Sequence, residues 1–211
     1  MKHTLGEKHP TDGLYRLVAG RDLPQHGVRR GDIGGWVRSL SNVRGGAWVE
    51  DEARVFGNTK VSGNAKVSQH SMLEGDVEIS GNAKVSGGAY VGGEARVGGN
   101  AHVFGQAEVF DNVSVFGSAR VSGRCEVYGE ATVRLSARVR GDVHVCGTAD
   151  IIFSISSGVW NGDEVLGGGM SGFTFDPPDE DLVQVLREGV KCFLLSHADA
   201  QRLHHQQVVF P

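Results

Sequence analysis

The chain has 211 residues, a formal net charge of −4, 32 glycines and only 5 prolines. Scarce proline excludes a collagen or a Pro/Gly-rich disordered segment. So mild a charge gives no general electrostatic reason for a nucleic-acid or membrane partner.

The opening "MKHTLGEKHPTDG" lacks the apolar run of a secretory signal. Residues 1–32, which include the strand-like "LYRLVAG", are expected to form an N-terminal cap. From Val37 onward a strict period of six begins. All twenty positions from Val37 to Ile151, taken every sixth residue, are aliphatic. Four residues after each comes a small residue or valine, as at Ala47, Ala65, Ala83 and Ala119. Two residues after each comes, in most cases, glycine, as at Gly45, Gly63, Gly81 and Gly99.

A period of six is neither the 3.6 of a helix nor the plain 2 of a strand. The small and aliphatic positions lie two apart, on one face of a short strand. The glycine between strands accepts positive φ and turns the chain. Three such hexapeptides make one triangular coil, which buries its apolar face only by stacking on its neighbours. Residues 33–151 are therefore expected to form an all-β solenoid of about six coils.

The V-x-G-x-A-x pattern resembles the hexapeptide repeat of single-stranded left-handed parallel β-helix proteins, and the left hand is implied by that resemblance. A narrower likeness lies at the entry. Gly31-Asp32, then Gly34-Gly35-Trp36-Val37, then Trp48, Val49, Asp51, Ala53 and Val55, resemble the entry of bacterial and prophage-encoded hexapeptide-repeat proteins. Such proteins are acyltransferase-like by fold, which alone does not assign a function.

After Ile151 the phase ends. Residues 152–211 are expected to be a small α+β C-terminal region that caps the stack or mediates oligomerisation. They contain short strands and a glycine-rich loop, helices in "PDEDLVQVLREGV" and "SHADAQRLHHQQ", and a buried strand in "KCFLLS". "GGGMSG" lacks the lysine of a phosphate-binding loop. No run of 18 apolar residues occurs, so no membrane span is expected. Cys125, Cys146 and Cys192 are odd in number and form no C-x-x-C, which fits a reducing compartment and a cytoplasmic location.

Function in the coils must reside in the outward residues, and positions 18 apart should stack. One column reads Trp48, Lys66, Lys84, His102, Arg120, Arg138. Lys66, Lys84, His102, Arg120 and Arg138 form the expected binding strip, for a protein or other anionic partner. A second column reads Arg54, Met72, Tyr90, Glu108, Glu126, His144, and a third Lys60, Glu78, Arg96, Ser114, Thr132, Asp150. Outward Phe104, Phe110, Phe116 and Tyr128 suggest a homo-oligomer interface, in a dimer or trimer.

The expected function is a non-enzymatic scaffold or interaction protein of phage or prophage type, with no catalytic residue, cofactor or metal. The alternative implied by the resemblance is an acyl-CoA-dependent acyltransferase with His102 as general base. Against it, residues 37–151 carry no inserted acceptor loop. The coils also lack the closely spaced histidines of a zinc site.

Overall fold

Valine at one phase and a left-handed residue two positions on produce one local event many times over. In Lys84–Val85 the lysine points outward and the valine inward. Ala83, two residues before the valine, is also fully buried, and Gly87 then turns the corner at φ 75°. Every residue at this corner phase from Gly45 to Gly147 has positive φ. Four of them are not glycine: Asp51, Gln69, Asp111 and Leu135. The three polar ones each accept the corner amide of the next turn. Asp51 Oδ2 accepts the Gln69 amide at 3.1 Å, Gln69 Oε1 the Gly87 amide at 2.6 Å, and Asp111 Oδ2 the Gly129 amide at 3.1 Å. Each such side chain ties its turn to the next one.

The fold comes from a computed structural model that describes residues 3–152, 154–161 and 164–166. It is an all-β parallel solenoid of about seven turns. Successive turns stack in a register of eighteen residues: Lys66 lies beside Lys84, Lys84 beside His102, His102 beside Arg120, and Arg120 beside Arg138. Amides donate across turns, from Lys84 to the Ala101 carbonyl (2.9 Å) and from Ser86 to that of Val103 (3.0 Å). The inward valines are fully buried in one continuous core, each contributing roughly 1.5 kcal/mol or more through its removal from water.

Seven turns exceed the six expected because the last coil leaves the period. Strand Ile155–Asn161 lies against Arg138–Cys146 with Val139 opposite Ile155 but Asp142 opposite Ser157. This coil is shorter than eighteen residues, so a six-residue count stops before it. Strand Glu164–Leu166 then folds back antiparallel on Ile155–Asn161. The helices and strand expected within 178–207 lie outside the described residues. Among the described residues, no helix is long and apolar enough to cross a membrane.

At the N-terminal end, β1 (Thr4–Lys8), β2 (Tyr15–Val18) and β3 (Ile33–Val37) form an antiparallel meander. β3 also pairs in parallel with Arg54–Val55, so it passes from the cap into the stack. The glycines of the entry motif are needed for close approach. A Cβ on Gly34 would meet the Trp48 ring at 2.7 Å, and one on Gly35 would meet the Ala53 carbonyl at 2.7 Å. The cap is pinned by Arg16, which stacks over Trp36 at 4.0 Å and bonds Glu52 at 2.6 Å. Glu52 also accepts the Trp36 indole N–H at 2.9 Å. Asp12, from the β1–β2 connection, reaches Arg54 of the first turns at 2.8 Å.

Candidate functional site: the basic face

The three outward columns occupy three sides of the solenoid, each with its own character. The basic face is built on Trp48–Val49, Lys66–Val67, Lys84–Val85, His102–Val103, Arg120–Val121 and the start of Arg138–Cys146. On each strand the outward residue precedes the buried valine, and a second outward residue follows it. The second set is Glu50, Ser68, Ser86, Phe104, Ser122 and Arg140.

The five residues expected to bind are brought into one column but are not equivalent. Lys66 is neutralised by Glu50 at 2.7 Å. The His102 Nε2 and Ser86 Oγ are 3.0 Å apart, and the imidazole packs on Phe104 at 4.4 Å between centroids. Burial, then the neighbouring cations Lys84 and Arg120, push the His102 pKa down. It is therefore neutral at pH 7. Lys84, Arg120 and Arg138 are exposed. Among the described residues none of the three, nor Arg140, has a carboxylate within ion-pair distance. Among the described residues the strip thus reduces to three free cationic heads, Lys84, Arg120 and Arg138, joined by Arg140 at its end, around a neutral His102–Phe104 pair.

Elsewhere most arginines and lysines of the coils are matched. Lys60 pairs with Glu78 (3.6 Å), Arg124 with Asp142 (2.8 Å) and Arg134 with Asp150 (2.6 Å). The residues at fault in any simple column reading are the diagonal ones. Glu50–Lys66, Ser86–His102 and Arg134–Asp150 each join residues sixteen apart, whereas Lys60–Glu78 and Arg124–Asp142 join residues eighteen apart. The Ser86–His102 contact was missed by stacking eighteens, and a search at sixteen would have found it.

The second column forms an acidic and aromatic face. Tyr90 has Glu108 beside it on one neighbouring strand and Met72 on the other, where Glu74 follows two residues on, opposite Gly92. Burial and then these two carboxylates push the tyrosine pKa up. Glu126 pairs with His144 at 3.2 Å. Phe110 and Tyr128 stack with centroids 5.3 Å apart and planes 5° from parallel. Phe116 is on the mixed face, 43% exposed. The four aromatic residues expected at an interface are therefore divided over three sides, and only Phe110 and Tyr128 touch each other.

The coil histidines are not brought together either. His70 is at a corner, His102 on the basic face and His144 on the acidic face. Among the described residues no three His, Cys, Asp or Glu side chains converge as metal ligands would. Burial pushes the Cys125 thiol up to about 11, so it is a packing residue rather than a nucleophile.

No protein-family model matches the chain, and no curated protein matches it.

Proposed function

We propose that the protein is a non-enzymatic scaffold, built as a left-handed hexapeptide-repeat helix of the phage or prophage type, that engages an anionic partner through its basic face. The observation that supports this most is the cluster Lys84, Arg120, Arg138 and Arg140, four cations on one sheet with no counter-ion among the described residues. Arg120 and Arg138 stand on adjacent rungs, where exposed like charges repel at about 1 kcal/mol or less per pair in water. An anion bound across them removes that cost.

The acyltransferase alternative rests on His102. It is held by Ser86 and Phe104 on a flat side, and the repeat carries no inserted loop to form an acceptor pocket. Two measurements separate the readings. Retention on a heparin column probes the face with a generic polyanion. The wild type is expected to be retained at low salt and Lys84→Glu/Arg120→Glu to pass through. Equal elution of the two would overturn the proposal. Acetyl-CoA is expected to leave the melting temperature unchanged, because only a ligand that binds the native state raises it. A clear rise that disappears in His102→Ala would favour the enzyme.

A further inference from the structure

The acidic face is the counterpart of the basic one. Both are flat parallel sheets of the same solenoid, so their charges recur at one rung spacing of about 4.8 Å. The basic face presents Lys84, Arg120, Arg138 and Arg140, and its carboxylate Glu50 is already held by Lys66. The acidic face presents Glu74 and Glu108, with Glu126 paired to His144; its cation Arg54 is held by Asp12, and Arg38 at its edge donates to the Gly13 carbonyl. Among the described residues the basic face therefore carries a surplus of cations and the acidic face a smaller surplus of carboxylates.

Each face also carries an aromatic centre within its charges. On the basic face this is Phe104 against His102. On the acidic face it is Phe110 stacked on Tyr128. An apolar aromatic core with a charged rim is the usual anatomy of a protein–protein contact. Burial, then the cations Lys84 and Arg120, lowers the pKa of His102; burial, then the carboxylates Glu74 and Glu108, raises that of Tyr90.

We infer that the anionic partner of the basic face is the acidic face of a second copy of this chain. This rests on the proposed function, and it names the partner at that same face. Two different faces meet, so the contact is heterologous: each copy keeps one free basic and one free acidic face, and assembly continues past a dimer into a ring or a filament.

The test is the solution mass of the full chain, by light scattering after size exclusion, in about 50 mM and about 500 mM salt. The wild type is expected above twice the 22.5 kDa of one chain at low salt, with the mass falling as salt rises. Lys84→Glu/Arg120→Glu and Glu108→Lys/Glu126→Lys change only outward side chains, so melting curves should show both folded. Each alone is expected to weaken association on the order of 100-fold through like-charge opposition. Mixed one to one, they are expected to associate again, because each supplies the face the other has lost. A monomeric wild type at low salt overturns the inference. Charge-reversed variants that keep the wild-type mass, or a mixture that stays monomeric, overturn it equally. Heparin retention separates this failure from that of the underlying reading. A monomer retained through Lys84 and Arg120 overturns only self-assembly, and a monomer that is not retained overturns both.

Discussion

Leu135 is the residue that breaks the local rule most openly. It occupies a corner at φ 59°, where the polar exceptions have side chains that cap a neighbouring amide, and it is 49% exposed. A leucine there incurs roughly 1 kcal/mol of left-handed backbone strain with no compensating bond. Leu135→Asn should therefore raise the melting temperature, by a few degrees for about 1 kcal/mol in a chain of this size. A thermal melt at pH 7 checks it. His102 supplies a second test at this scale. Burial pushes its pKa down, as it does for His3 and His26. The unfolded chain then binds more protons than the folded one, so stability falls as pH drops through the ordinary imidazole value of about 6.5 toward the lower folded values. Melts from pH 7.5 to 5 should show that loss, and His102→Gln should make it shallower. An unchanged slope in His102→Gln would mean that His102 does not contribute.

The cap is the element whose hold on the stack can be isolated. β2 contributes Arg16, which stacks on Trp36, bonds Glu52 and donates to the Asp51 carbonyl at 2.7 Å. These contacts join β2 to the first turns through a single side chain. Arg16→Ala should cost about 1–2 kcal/mol from the lost cation–π and hydrogen-bond contacts. Loss of amide-exchange protection should be confined to β1 and β2, while the middle coils remain protected. Uniform loss along the chain would show instead that the cap and stack open as one unit.

For the whole molecule, stability is a sum over coils and the contacts between neighbours. Ile79 is fully buried in the middle of the stack, with Val61 below and Val97 above it in register. Ile79→Ala should cost about 2–5 kcal/mol. It should also lower protection in the coils on both sides, which hydrogen exchange resolves. Charge is organised at the same scale. Residues 1–151 hold 18 Lys and Arg against 17 Asp and Glu, so the cap and coils are near neutral while one face carries unbalanced cations and another unbalanced carboxylates; the −4 of the chain comes from residues 152–211. Any partner meets the faces and not the average.

Much of this was determined by the sequence alone, because the repeat is a local rule. The phase of the valines decides which side chains are buried, and the residue two positions later takes positive φ at every corner from Gly45 to Gly147. The eighteen-residue stacking follows, and with it the membership of each outward column. Tertiary structure decided what that rule does not reach. The last coil is short and has no period to count. The cap is antiparallel, and its contacts join residues far apart in the chain. Long side chains choose partners across a rung or along its diagonal, so Lys66 is cancelled by Glu50 and His102 is held by Ser86. Periodicity sets where a side chain leaves the backbone. Only the packed surface decides which charge its far end meets, and therefore which charges remain free for a partner.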